Sequence, residues 1–484
     1  MSVQTIRNYV NGQWLDSVSS QLLDVRNPAT DEVLARVPLS ARKEVDHAVS
    51  CAKNAFPAWR RTPPVQRARY LFKLKNVLEE HFEDISRIVV EENGKTLPEA
   101  RGSVRRGIEN VEVAAGIPSL MMGEALEDIA DGIDCAAVRQ PLGVFACVTP
   151  FNFPAMVPLW FLPHAVACGN TFVVKPSEQC PLAQKRVFEL FEEVKFPPGV
   201  VNMVNGAKEA VDALLENPDV SGISFVGSSP VARYIYSTAS ARGKRVQALG
   251  GAKNFIVMMP DADLDAAVAA LIDSCFGCAG ERCLAGSVIL CVGDVYFAFR
   301  DKFVQAAKRV VLGNGLEQGV GMGPLVSKKH REKVLAYIES GLKEGARLLV
   351  DGRDAKVERY PKGYFVGPTI FDDVTTSMAI AREEIFGPVA SLLRVADLKE
   401  ALDVIHKSEF GNATSIFTRS GASARRFVYD VGISMIGVNI GIAAPMAFFP
   451  FGGSRGSFFG DLKAHGRDCI QFFTDRRVVI SRWS

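Results

Sequence analysis

Cysteine is sparse: 10 residues in a chain of 484, several of them in apolar settings such as Phe145-Ala-Cys147 and Val166-Ala-Cys168. That density excludes a disulfide-stapled scaffold and points to a reducing compartment. Charge of one sign is lacking too, since 56 Lys+Arg stand against 54 Asp+Glu and no run of five like charges occurs. Without a basic stripe or polybasic patch, neither nucleic acid nor a membrane surface is an expected partner. A small, neutral or anionic substrate fits better. The two most apolar stretches, Ala155–Gly169 and Gly432–Gly453, are broken by Pro158, Pro163 and His164 and by Asn439 and Pro445, so neither reads as a membrane span. Met1–Asp16 has no basic region leading into an apolar stretch and no Arg/Ser-rich transit character, so a cytoplasmic location is expected. Internal repeats and low-complexity segments are also absent.

What is present is ordinary globular composition, 48% hydrophobic and 23% charged. The length suits two to four domains at roughly 100–200 residues each. Between residues 140 and 250 five short apolar runs, Gly143–Val148, Thr171–Pro176, Val200–Asn205, Gly222–Gly227 and Arg245–Gly250, recur every 22 to 29 residues. The segments between them, such as Pro181–Lys195 and Pro230–Arg242, have helical composition, so the pattern predicts a parallel, helix-covered sheet. Ligands of such sheets sit beyond the carboxyl ends of the strands. Three polar clusters fall there: Thr149-Pro-Phe-Asn152, Lys175-Pro-Ser-Glu178 and Gly227-Ser-Ser229. A second α/β set follows, with strands expected at Ser287–Val292, Ala413–Thr418 and Met435–Ile440. In the tail, Ile470–Thr474 and Arg477–Ser481 alternate as strands would, and two readings stand: pairing with another subunit's sheet, or a local edge hairpin.

The densest chemistry lies at Phe276-Gly-Cys-Ala-Gly-Glu-Arg-Cys-Leu-Ala-Gly286. Small residues flank Cys283 and Arg282 precedes it, so the thiol is open to a substrate and a cation stands ready to favour the thiolate. On residue types alone a buried bystander cysteine is the more common outcome. Cys275 and Cys278 form a Cys-x-x-Cys, but no second pair or histidine lies at ligand spacing, so no metal is expected.

Gly280-Glu-Arg-Cys283, together with Thr149-Pro-Phe-Asn-Phe-Pro154, Val174-Lys-Pro-Ser-Glu178, Phe225-Val-Gly-Ser228, Leu249-Gly-Gly251 and Glu383-Glu-Ile-Phe-Gly-Pro388, resembles the aldehyde dehydrogenase superfamily, with the motifs in that family's order over almost the whole chain. Within it, Ala100–Val111, Ala279–Cys283 and Ser454–Asp461 are most similar to the CoA-acylating branch that acts on methylmalonate semialdehyde. The resemblance implies an α/β fold of three parts. These are a Rossmann-type NAD-binding domain (1–119 and 140–249), an α/β catalytic domain (250–445) and a small β oligomerisation segment (120–139 and 446–484) of a homodimer or homotetramer. It further implies that Cys283 attacks the aldehyde carbon while Asn152 and the Cys283 N–H hold the oxyanion. For NAD it implies Lys175 and Glu178 at the adenosine ribose and Glu384 at the nicotinamide ribose, with Thr149, Phe151, Gly227, Ser228, Gly250 and Phe386 lining the site. A carboxylate at Glu178 should repel a 2′-phosphate and so favours NAD over NADP, an inference that Lys175 beside it weakens.

One departure bears on function. Hydrolytic relatives carry a Glu base before Leu-Gly-Gly; here Ala248 stands in that place, and no Glu occurs between Glu216 and Glu281. Water is then poorly activated against an enzyme thioester, whereas an incoming thiolate needs no base, so CoA is the expected acyl acceptor. Glu281 is the reserve base that would keep some hydrolysis alive. Arg106 and Arg282 are the expected anchors for a substrate carboxylate, by bidentate pairing. The expected reaction is oxidation of methylmalonate or malonate semialdehyde, with decarboxylation, to propionyl-CoA or acetyl-CoA. Valine, inositol and β-alanine degradation are all consistent with the family. The alternatives are a hydrolytic semialdehyde dehydrogenase and, more remotely, a non-catalytic binding protein on the same fold.

Overall fold

The computed structural model describes residues 3–483 and contains three sheets that matter for function, plus a short Leu22–Arg26/Val33–Pro38 hairpin. Each of the five apolar runs is a strand of the first sheet: Val144–Val148, Thr171–Lys175, Val201–Met203, Val220–Val226 and Arg245–Leu249. All five run parallel, and Val144–Val148 and Thr171–Lys175 are buried at every position, as expected for strands covered on both faces. Across the sheet the order is Arg245–Leu249, Val220–Val226, Val144–Val148, Thr171–Lys175, Val201–Met203. The winding therefore reverses between Val144–Val148 and Val220–Val226, the topological switch point where doubly wound sheets bind ligands. Helices Pro64–Glu80, Leu97–Ala115, Pro158–Cys168 and Leu182–Val194 pack on one face, and Arg42–Trp59, Lys208–Glu216 and Ser229–Ser240 on the other.

The second sheet is also mostly parallel, in the order Arg347–Val350, Thr369–Asp372, Val389–Val395, Gly286–Val292, Asn254–Met258, Ala413–Phe417, Met435–Val438. It has its own apolar core, built around Phe276, Phe299, Phe303 and Phe371. The third sheet is a ribbon of Glu124–Ala130, Ile133–Pro141 and Thr474–Arg482.

The tail differs from expectation. Ile470–Thr474 is not a strand: Gly466–Phe473 is a helix, with Cys469, Ile470, Phe472 and Phe473 buried and Phe473 edge-on to Phe145 at 4.9 Å. Five residues are too few to separate a period of 2 from one of 3.6, and packing against the first sheet decides for the helix. Phe458–Phe459 pairs with Ala248 and Leu249 as an edge strand of that sheet. Phe458–Phe459 and Gly466–Phe473 thus sit against the first sheet, residues 454–456 bond to the 405–411 stretch beside the second, and only Thr474–Arg482 enters the ribbon, pairing with Ile133–Pro141 of its own chain over nine residues.

Candidate active site

Beyond the carboxyl ends of the strands at the switch point lies an elongated cleft of about 710 Å³. Thr149, Phe151 and Asn152 follow Val144–Val148 into it, Lys175 and Glu178 follow Thr171–Lys175, and Gly227 and Ser228 follow Val220–Val226. At one end Lys175, 4% exposed, donates to Glu178 at 2.8 Å. Burial works to raise the Glu178 carboxyl, but the charge and hydrogen bond of Lys175 outweigh it and hold the group below the usual range. The Ser229–Ser240 helix opens on the cleft with Pro230 in its first turn, so its free N–H groups and positive dipole end face the cavity. Gly250 lies where a Cβ would meet Ser229 Oγ at 2.7 Å, and Gly251 where one would meet Glu384 Oε2 at 2.3 Å, so the double glycine makes room for both groups.

Glu384 and Phe386 reach the cleft from the second sheet's side. The Ala252 N–H donates to Glu384 Oε1 at 2.9 Å, and burial raises the Glu384 carboxyl to about 7 despite that bond and the nearby Lys333 and Lys253 charges. Phe386, in a left-handed conformation (φ 60°), stands edge-on to Phe151 at 5.8 Å. Its carbonyl accepts from His330 Nε2 at 2.6 Å, which adds His330 to the wall, a residue the motifs did not single out.

Cys283 lines this cleft and also a second cavity of about 560 Å³. The loop that carries it is tightly constrained. Cys278, Ala279 and Gly280 are successively left-handed (φ 49°, 53° and 73°), and a Cβ on Gly280 would fall 2.1 Å from the Gly387 carbonyl. Asn254 and Asn412 both donate to the Cys283 carbonyl, at 2.9 and 2.8 Å, fixing the peptide that carries the thiol. Asn152, 5% exposed, donates Nδ2 to the Glu281 carbonyl at 2.9 Å, which ties the second loop to the first and leaves one amide hydrogen unspent.

The thiol is not poised as a thiolate. Burial first, then the Glu384 carboxylate, pushes Cys283 up to about 12, while its own N–H and that of Leu284 pull weakly the other way. Arg282, expected to supply the compensating cation, is turned elsewhere. Its guanidinium donates to Asp273 Oδ1 (3.1 Å), Cys278 Sγ (3.2 Å) and Glu99 Oε1 (3.4 Å), and its effect on Cys283 is the smallest of those acting there.

The second cavity is lined by Glu99, Ser103, Arg106, Phe153, Trp160, Ile442 and His465, among others. Arg106 projects into it from the Leu97–Ala115 helix, touching Glu109 at 3.2 Å and Met446 Sδ at 2.8 Å, with much of its side chain exposed. Arg282 lines it as well, but with its donors engaged as described. Two further expectations change. Ala248 lines neither cavity: it is fully buried against the Ser229–Ser240 helix, while Leu249 faces the opposite core beside Leu284. Either way this strand end carries no carboxylate. Glu281 is poorly placed as a reserve base: its Oε1 accepts from the Val326 N–H at 3.1 Å, and burial raises its carboxyl well above the ordinary range. No group of three or more His, Cys, Asp or Glu is placed to hold a metal among the described residues, and no helix there is long and apolar enough to cross a membrane.

The chain is similar to known proteins along its whole length. Malonate-semialdehyde dehydrogenase 2 of Geobacillus kaustophilus (strain HTA426) is 54% identical over 482 residues, 99% of each chain. Malonate-semialdehyde dehydrogenase 2 of Bacillus mycoides (strain KBAB4) is 50% identical over the whole of both. The crystal structure of methylmalonate-semialdehyde dehydrogenase from Oceanimonas doudoroffii superposes with a TM-score of 0.98 at 48% identity, covering 100% of this chain and 99% of that one. A Sinorhizobium meliloti 1021 protein assigned the same activity, and complexed with NAD, gives 0.98 at 43% identity with the same coverage. The model of the aldehyde dehydrogenase family matches residues 14–479, both cavities and the thiol between them included, and the chain belongs to that family.

Proposed function

We propose that the protein is an NAD-dependent, CoA-acylating dehydrogenase of a short semialdehyde acid, malonate or methylmalonate semialdehyde. The observation that carries this reading is the single thiol shared by two cavities. One has a ribose-compatible carboxylate at each end, Glu178 and Glu384, and the other presents a cation, Arg106. The curated relatives and the NAD-complexed neighbour support the substrate class and the cofactor.

The cleft's donor set fits a dinucleotide: two glycines flush with the wall, a helix N-terminus between the carboxylates, and a lysine–glutamate pair at the adenosine end. When bound, NAD supplies the acceptor for the hydride that leaves the substrate carbon. The chain's residues do the rest. Arg106 holds the substrate carboxylate, so the aldehyde carbon is presented to Cys283 Sγ. The thiol proton passes to solvent in the cavity as the sulfur–carbon bond forms, and the carbonyl electrons move to an oxygen held by the free Asn152 amide hydrogen and the Cys283 N–H. Each such preorganised donor is typically worth about 3–4 kcal/mol. Loss of hydride leaves a thioester on Cys283. The thioester carbonyl then accepts the electrons released as the adjacent carboxylate departs as CO₂, and protonation gives the propionyl or acetyl enzyme. Attack by the CoA thiolate transfers the acyl group and frees Cys283.

Arg282 is assigned a different part from Arg106. Bound to Glu99 and Asp273, it braces the cavity wall between the thiol loop and the Leu97–Ala115 helix. The hydrolytic alternative keeps one candidate base near the thiol, Glu384, whose carboxyl is raised to about 7. The exposed apolar side chains of the ribbon, Leu126, Val138, Val478 and Ile480, support a homo-oligomer formed through it. The deciding experiment follows NADH formation from NAD and methylmalonate semialdehyde with and without CoA, and identifies the acyl product by mass. Turnover that requires CoA and yields propionyl-CoA supports the reading; equal turnover without CoA, releasing free acid, replaces it with the hydrolytic one.

A further inference from the structure

Asn152 belongs to an irregular loop, so its amide is only as well placed as the contacts that hold the loop. Its own carbonyl accepts from Lys95 Nζ at 2.6 Å, and the preceding carbonyl, that of Phe151, accepts from Asn93 Nδ2 at 3.2 Å. Two successive carbonyls are therefore gripped from one corner, the turn that ends the Phe82–Asn93 helix. That corner is rigid. Gly94 is left-handed (φ 95°), and its carbonyl lies 1.8 Å from where a Cβ on Gly323 would stand. The Lys95 carbonyl lies 2.1 Å from the equivalent point on Gly315. Both contacts admit only glycine.

Lys95 is 2% exposed and, among the described residues, makes no ion pair. Its ammonium has the Asn152 carbonyl as hydrogen-bond acceptor and the Phe153 ring, 4.0 Å away, as a second partner. Burying a cation against one carbonyl and a ring is costly, and an apolar side chain would fill the space at lower cost if packing were its only task. Its charge is also felt on the thiol loop, at Cys278 and Glu281, so it lies between the two loops that must cooperate.

We propose that Lys95 is a positioning residue for the aldehyde oxyanion, acting through the Asn152 carbonyl to set the Asn152 amide against Cys283. The inference rests on the role given to Asn152 above. A misplacement of about 1 Å costs up to a hundredfold in rate, so K95M should lower kcat/KM for the semialdehyde about ten- to a hundredfold. The loss should fall on kcat, with the NAD dissociation constant, read by protein fluorescence on the cofactor-free enzyme, unchanged within about twofold. K95R, which keeps donors at this position, should recover most of the rate. In the N152A background K95M should add nothing, since the group it positions is gone. A full-sized K95M effect on top of N152A, equal loss of NAD affinity, or wild-type kinetics in K95M would each overturn the proposal. Wild-type kinetics in N152A alone would instead remove the reading of Asn152 on which it stands. If K95M is insoluble, K95Q, with a shorter donor arm, takes its place in the same cycle with the same outcomes.

Discussion

A thiol that burial and a carboxylate push up to about 12 should be slow toward electrophiles in the cofactor-free enzyme. Against an ordinary cysteine at 9.0, the shift to about 12 leaves roughly a thousandfold less thiolate at neutral pH. The more basic sulfur is also the better nucleophile. With a Brønsted slope of about 0.4–0.5 this returns roughly twentyfold, so Cys283 should be alkylated about fiftyfold more slowly than an unperturbed thiol. The assay is reaction with iodoacetamide across neutral to alkaline pH, with peptide mapping to separate Cys283 from the other nine cysteines, all free and most of them buried. The logarithm of the rate should climb about one unit per pH unit with no plateau below about pH 10. Glu384→Gln removes the second-largest cause of the shift. If the Glu384 charge is worth about one pH unit, the rate at fixed pH should rise three- to fourfold. A plateau with a midpoint at or below pH 9 in the wild type would refute the argument, because the burial that dominates it would then be absent in solution.

Arg106→Ala should raise KM for the semialdehyde acid far more than for a neutral aldehyde of the same length, and equal effects on both would sink the anchor role. Arg282→Ala should instead destabilise the fold by about 1–3 kcal/mol, since Glu99 loses its cation but keeps the Thr96 and Cys278 N–H donors; denaturant midpoints compare the two variants directly. Glu384, raised to about 7, is protonated below that pH and ionised above it. With Glu384 at the nicotinamide ribose as proposed, the carboxylate would accept from both hydroxyls where the acid cannot, so NAD affinity should strengthen as pH rises through 7 and lose that dependence in Glu384→Gln, as read by fluorescence titration. Val478→Asp with Ile480→Asp places charge on the ribbon's exposed strand and should lower the oligomeric state in light scattering; an unchanged mass would move the interface elsewhere.

The half of the cleft formed by the first sheet's strand ends was legible because its residues obey a local rule. Buried parallel strands are short apolar runs, and the residues that leave their carboxyl ends must face the crevice. Thr149, Phe151, Asn152, Lys175, Glu178, Gly227 and Ser228 all fall there for that reason alone. The other half depends on contacts between segments far apart in sequence, which no local pattern encodes. Arg282 sits one residue from the thiol, yet its guanidinium is engaged by Asp273, Cys278 and, on a helix 183 positions away, Glu99, so sequence proximity to Cys283 did not show which groups its charge meets. Lys95 and Asn93 carry no motif at all. They matter only because the end of one helix abuts the Asn152 loop, 57 and 58 residues further on. The strand before Gly250 shows the same limit at the scale of one residue. Alternation along Arg245–Leu249 puts Ala248 and Leu249 on opposite faces, and only the sheet's packing shows that Leu249 is on the thiol's side. The argument for a thiol acceptor over water survives that change, because it needs only that this strand end present no side chain able to take a proton, and neither alanine nor leucine can.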